Sequence, residues 1–387
     1  MAKIEPQVAN SERVREPVQS LESDNRPPQP GIALSLSGGG YRAMVFHVGS
    51  LWRLYETGLL GRLDRISSVS GGSITAAVLG LAWNRLNPNA PYDRVRFEES
   101  MVAPIRLLAS ETIDSWGIVG GLILPGTINQ HIQNSYRKHL YGDATLQDLP
   151  NKPRFIINAT NVQSGALWRF SKPYIRDYRV GEIKNPTVSL AEAVGASSAF
   201  PPVLSPMLLE LDPSSFTAKS GQDLQTEPFT SRVVLSDGGV YDNLGLETTW
   251  KRYDTILVSD AGGKLKPEEE PKEDWARHAY RVLDLIDNQV RSLRKRQLIQ
   301  SYKDKVRKGA YWGIRTNIAD YELQDPLRCP FDRTIDLAEI PTRLQRLSKD
   351  IQQRLINWGY AVCDAALRKH VEPQLDKPAF PYPEVEV

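Results

Sequence analysis

Residues Gly31 to Arg42 read Gly-Ile-Ala-Leu-Ser-Leu-Ser-Gly-Gly-Gly-Tyr-Arg, and this stretch decides the fold class. Its apolar run has the length of a short buried strand, and three glycines break it. From Tyr41 to Glu56 the residues Ala43, Val45 and Phe46, Gly49 and Ser50, and Trp52 and Leu54 recur at helical spacing. The unit strand, glycine loop, helix then repeats. Leu63 to Val69 reads as a second strand, Ser70-Gly71-Gly72 as a tight turn, and Ser73 to Asn84 as a small-residue helix able to lie close on a sheet. Two such units in succession predict an α/β protein with a mostly parallel central sheet flanked by helices.

Working outward, strand patterns appear at Arg154 to Thr160, Ala166 to Phe170, Tyr174 to Arg179, Met207 to Leu211, Arg232 to Leu235 and Thr255 to Val258. Pro213 to Thr230 reads as an exposed loop. Two long helices are expected to close the domain. The first runs from Glu273 to about Val306, with Trp275, Ala279, Val282, Ile286, Val290 and Leu293 on one stripe, and the second from Pro341 to Arg368. Ile113 to Leu124 is apolar and glycine-softened, suited to a lid or acyl-chain wall and equally to a piece of core. No repeat or linker divides the chain after Gly31. The expected organisation is a flexible tail over residues 1–30 and a single domain over 31–387, with core motifs in 31–250 and a helical elaboration over 273–370.

Composition narrows the class. Of 387 residues, 48 Lys and Arg face 46 Asp and Glu, so the net charge of +2 supplies no global field for DNA or RNA. No apolar run approaches the roughly 20 residues of a membrane span. The polar N-terminus lacks the apolar stretch of a secretory signal, which predicts a cytoplasmic protein. Cys329 and Cys363 are then expected as free thiols.

Three segments carry candidate chemistry. In Ile66-Ser-Ser-Val-Ser70-Gly-Gly-Ser-Ile-Thr75 a serine stands between a strand and a helix, where a sharp turn exposes its hydroxyl at the positive end of the helix. Ser68 and Gly72, two residues either side, are small enough for such a turn. A frame shifted by three makes Ser73 the nucleophile, but places it inside the helix beside β-branched Ile74 and Thr75. Taken alone, a Ser-Gly-Gly turn is common in α/β proteins.

Gly38, Gly39 and Gly40 open a helix, so their amides converge on an anion position. A phosphate cradle and an oxyanion hole compete for that position. The former lacks a following Gly-Lys-Ser/Thr and the Gly-x-Gly-x-x-Gly spacing. Arg42 either shapes the loop, attracts a lipid phosphate or is a surface arginine at the helix start. None of the five histidines sits in a turn suited to a triad, and His47 reads as a packing residue. The third segment, Val233 to Asn243, is a buried strand ending in Asp237, followed by Gly238 and Gly239. An aspartate there could take a serine proton directly if burial raises its basicity, or could merely cap its own turn. Asp242 lies past the turn and reads as a helix cap.

Together, Gly38 to Arg42, Ser68 to Gly72 and Asp237 to Gly239 resemble the patatin-like phospholipase family, in its order. The match covers its Gly-Gly-Gly-x-Arg loop, Gly-x-Ser-x-Gly elbow and Asp-Gly-Gly/Ala motif. Ala193 to Pro202 is similar to a fourth family segment, and Ser68 departs from the elbow's first glycine. The resemblance implies a patatin-like three-layer fold and metal-independent, cofactor-free hydrolysis of lipid acyl esters. In it Ser70 is nucleophile and Asp237 base, while the amides of Gly38, Gly39, Gly40 and Gly71 receive the oxyanion and Arg42, Gly72, Gly238 and Gly239 support them. The partner implied is membrane phospholipid, met peripherally at the inner membrane. Some members are effectors in anti-phage defence switched on by cyclic oligonucleotides, and the basic stretch from Arg291 through Lys308 is either the place for such an activator or anionic lipid or a solvated helix face partly neutralised by Asp287 and Asp304. A soluble esterase or thioesterase on the same dyad, and a silent lipid- or nucleotide-binding protein, are the competing functions. Homo-oligomerisation is left open.

Overall fold

The computed structural model describes residues 28–113 and 127–387. The expected tail, apart from its last three residues, and the proposed lid after Ile113 lie outside the described residues. The sheet has ten strands: β1 (Gln29–Leu36), β2 (Arg65–Val69), β3 (Arg154–Asn161), β4 (Ala166–Ser171), β5 (Tyr174–Asp177), β6 (Gly181–Lys184), β7 (Met207–Glu210), β8 (Arg232–Asp237), β9 (Tyr253–Asp260) and β10 (Lys308–Gly313). Its order is β10-β9-β1-β2-β3-β4-β5-β6, and every pair from β10 to β3 is parallel. That is the half the two strand-turn-helix units predict. Beyond β3 the links shorten to hairpin turns, which cannot make a crossover, and the sheet continues antiparallel.

One irregularity positions the site. β3 pairs with β2 through Arg154 to Asn158 and with β8 through Ala159 to Asn161, while β4 occupies its other side. β2 and β8 therefore share one edge of β3 and run towards each other. Val69 stands opposite Asn158, and Asp237 stands opposite the next residue, Ala159. The two strands thus end against each other, C-terminus to C-terminus.

Six helices matter here: α1 (Gly40–Glu56), α2 (Gly71–Leu86), α3 (Leu190–Ser197), α4 (Trp275–Lys303), α5 (Phe331–Glu339) and α6 (Lys349–His370). Helix α1 is buried along all but its last residue, between the sheet and α6. Gly49 and Gly359 allow that approach, because a Cβ on either would strike the backbone of the other helix. On the opposite face a smaller cluster joins Ile256 and Val258 of β9 to Leu244, Leu246 and Leu298. The result is three layers.

The structure differs from the sequence reading at several elements. Helix α6 starts at Lys349, eight residues after Pro341, because Ser348 caps it by accepting the Ile351 amide at 3.3 Å. The skipped residues instead lie against the glycine loop, where Tyr41 N–H donates to the Arg343 carbonyl at 3.0 Å. Strand β10 was not expected, since Gly309 and Gly313 dilute its β signal. Helix α4 forms with the expected stripe, but only Leu298 and Ser301 of it are buried, so the stripe faces outward. Cys329 and Cys363 are buried free thiols.

Candidate active site

Ser70 links β2 to α2 with φ 50° and ψ −121°, a left-handed conformation that costs a non-glycine residue about 1–3 kcal/mol. Such strain projects the hydroxyl from the turn at the start of a helix. The two residues that follow must be glycine. A Cβ on Gly71 would meet the Gly40 carbonyl, and one on Gly72 the carbonyls of Leu36 and Ser37. Ser68 fits in place of the elbow's first glycine because its hydroxyl is spent inside, donating to the Ile156 carbonyl at 3.3 Å and accepting from Ser73 Oγ at 3.0 Å.

Ser73 is fully buried, whereas Ser70 is 8% exposed. Its hydroxyl also meets Ser197 Oγ at 2.9 Å, and Ser197 in turn accepts the Ser70 amide at 3.0 Å and donates to the Asn158 carbonyl at 2.6 Å. Ser73 is thus one knot of a network holding the elbow. Ser73→Ala is expected to keep ester turnover within about threefold of the parent while lowering unfolding stability by roughly 1–2 kcal/mol. Denaturant unfolding and a short-chain ester assay check both, and abolished turnover in a folded variant would return the nucleophile to Ser73.

Asp237 reaches the same point from β8. Its amide donates to the Ala199 carbonyl at 2.8 Å, its carbonyl accepts Thr160 Oγ1 at 2.8 Å, and its Oδ1 accepts the Gly239 amide at 2.6 Å. Burial pushes the carboxyl up to about 7, against the Gly239 and Ser70 hydrogen-bond donors that favour its charged form, and the charge of Asp287 on α4 adds to the rise. Oδ2 has no partner of hydrogen-bond distance and angle among the described residues, so the contact with the Ser70 hydroxyl is long or bent. Asp242 is used up elsewhere, taking the amides of Leu244 at 3.2 Å and Glu247 at 2.7 Å as a cap.

The glycine loop divides its labour. Gly39 (φ 144°) and Gly40 (φ 59°) hold conformations that favour glycine, and Gly38 lies against Ser70 Cβ. The Gly38 amide, expected at the anion position, instead donates to the Asn243 carbonyl at 3.0 Å. No acceptor among the described residues takes the amides of Gly39, Gly40 and Gly71. Arg42 is neither a surface residue nor open to a lipid phosphate. Its guanidinium is buried and donates to the carbonyls of Ala338 (2.6 Å), Ile340 (2.6 Å) and Ala261 (2.9 Å), fastening the ends of α5 and β9 to the loop. Burial, with the nearby Arg315, lowers its pKa to about 10. His47 is buried behind the loop with Nε2 2.9 Å from the Ser37 carbonyl and Nδ1 2.8 Å from Ser259 Oγ. Burial lowers it to about 4, so it is neutral and part of the frame.

Asn243, Ser197 and Asn158 were missed as site residues. Asn243 Oδ1 lies against the Cα atoms of both Gly38 and Gly239, which only glycine leaves open. The signal was the two glycines themselves, read as turn formers and not as room for a neighbour. Three cations of the basic stretch are paired: Arg291 with Asp287 (3.2 Å), Arg294 with Glu247 (3.2 Å) and Lys295 with Asp260 (2.9 Å). Among the described residues no cluster of His, Cys, Asp and Glu has the makings of a metal site, and no helix is long and apolar enough to cross a membrane.

Residues 34–250 match the family model of patatin-like phospholipases. No curated protein matches the sequence. Solved structures that resemble this chain include human GIVD cytosolic phospholipase A2, at 14% identity and a TM-score of 0.46, with 88% of this chain and 61% of that one covered. VipD from Legionella pneumophila is similar at 16% identity and a TM-score of 0.36, over 89% of this chain and 67% of that one. This chain thus spans about three-fifths of the length of the human enzyme. With more than half of its own length matched, from the strand before the glycine loop to beyond the Asp-Gly-Gly turn, the chain belongs to the patatin-like phospholipase family.

Proposed function

We propose that this protein is a lipid acyl hydrolase, cleaving acyl esters of membrane phospholipids by a Ser70–Asp237 dyad at the cytoplasmic face of the inner membrane. The observation that carries the reading is the meeting of a serine on a strained turn with a buried carboxyl poised near pH 7, one of whose oxygens has no partner among the described residues. In this mechanism Ser70 Oγ attacks the ester carbonyl and its proton passes to Asp237 Oδ2. The amides of Gly39, Gly40 and Gly71, with the start of α2, receive the oxyanion. Collapse of the intermediate expels the alcohol, which takes the proton from Asp237. Water, deprotonated by Asp237, then attacks the acyl-serine, and Asp237 returns that proton to Ser70 Oγ as it leaves, releasing the fatty acid.

An activator site is a second reading. A cleft of about 300 Å³ beside the loop after β9 presents Lys264, Arg291, Lys295 and Arg315, and this supports an anionic ligand such as a cyclic oligonucleotide, even though Arg291, Lys295 and Arg315 already have carboxylate partners. One experiment addresses both readings. Total bacterial lipid incubated with the protein, with and without a panel of cyclic di- and trinucleotides, should yield lysophospholipid and free fatty acid. Cleavage of short soluble esters alone would favour an esterase or thioesterase, and no cleavage of either a binding protein. Lipid release unchanged across the panel would remove the activator and the anti-phage role with it.

A further inference from the structure

Helix α4 is built inside out. In a helix packed on a globular body the apolar stripe faces the core. Here Trp275, Ala279, Val282, Ile286, Val290 and Leu293 share the outer side, with Trp275 85%, Ile286 52% and Leu293 56% exposed. The inner side is polar. Arg291 donates to the Gly263 carbonyl, Arg294 pairs with Glu247 and Lys295 with Asp260, and Leu298 is the first buried apolar residue. An outward apolar stripe of this length needs a cover.

Two observations say which. The exposed cations Arg296, Lys303, Lys305 and Lys308, beside exposed Leu293 and Val306, have no carboxylate partner among the described residues. At the C-terminal end of the stripe, apolar residues flanked by uncompensated cations match an anionic lipid surface, whose headgroups take the charges while its acyl region takes the side chains. The helix that carries the stripe also runs beside the candidate site. The Arg291 guanidinium and the Asn243 amide flank Gly262, and Asn243 Oδ1 touches the Gly38 Cα that lies against Ser70.

We propose that the outer face of α4 is a docking surface for anionic membrane, laying the helix into the lipid with the mouth of the Ser70 site at its edge. This rests on the lipid-hydrolase reading for its purpose and on the helix for its evidence.

The test uses the full chain carrying Ser70→Ala, so that lipid is not consumed, floated with phosphatidylcholine vesicles and with mixed phosphatidylcholine–phosphatidylglycerol vesicles. The parent should float with the mixed vesicles. Ile286→Glu with Val290→Glu should cut the floated fraction about tenfold or more, and Arg296→Glu with Lys303→Glu should remove the preference for the anionic mixture. Melting temperatures should match the parent, because all four side chains point outward. A parent that does not float, or an Ile286/Val290 variant that floats equally well, overturns the proposal. So does a dimer, seen by light scattering, that this variant converts to monomer without loss of flotation, since the stripe would then cover a second copy. The hydrolase reading fails independently, if the wild-type chain cleaves neither lipid nor soluble ester.

Discussion

Ser70→Ala is expected to lower kcat/KM for ester hydrolysis by about 10⁵-fold or more and to abolish labelling by a fluorophosphonate, because among the described residues no other hydroxyl stands at the site with a base beside it. Ser70→Gly should be as inactive, yet differ in stability. At φ 50° and ψ −121° alanine keeps the strain of the turn, whereas glycine adopts it freely and forfeits part of the gain as unfolded-state entropy. The glycine variant should therefore exceed the alanine variant by about 1 kcal/mol in guanidinium unfolding. Equal labelling of the wild type and Ser70→Ala would overturn the assigned nucleophile.

Asp237→Asn should cost about 10⁴-fold in kcat/KM, since the site offers no histidine to substitute as base. The wild-type rate should rise with pH along an acid limb centred near 7, because only the ionised carboxylate accepts the serine proton. Stability should move the opposite way. The folded-state pKa lies above the unfolded value, so the native state binds the extra proton between about pH 4 and 7, and wild-type stability falls as pH rises through that window. The amide has no such cost, and its oxygen still accepts the Gly239 amide. Asp237→Asn should thus melt with the wild type below pH 4 and above it at pH 8. A flat pH–rate profile, or a melting difference that shrinks with rising pH, would sink the assignment of Asp237 as a buried base.

The parallel half of the sheet was legible because each of its first two strands is followed by glycines and a helical period, a local pattern. The antiparallel half was less so. β5 and β6 are short, and no periodicity says that β8 enters along the edge already used by β2. Ser70, Asp237 and the glycine loop could be picked out because each occupies a strand end. What could not be read was which loop amide is already spent. Gly38 gives its hydrogen to Asn243, a contact between residues 205 positions apart that leaves no mark on spacing. Arg42 was similarly opaque, as its three acceptors are main-chain carbonyls and have no sequence signature. The stripe on α4 was visible, but a stripe does not announce the direction it faces.

The head-to-head arrangement of β2 and β8 along β3 has a mechanical consequence. Nucleophile and base are registered by a third strand and not by the covalent path between them, so the distance that matters for proton transfer is insulated from events in the loop at residues 213–230. That loop can be lengthened, trimmed or severed without altering the spacing of the pair, provided β8 still finds its place beside Ala159. The catalytic gap behaves as a joint between two abutting planks nailed to a common beam, and it is the beam, β3, whose displacement by a single residue would pull it open.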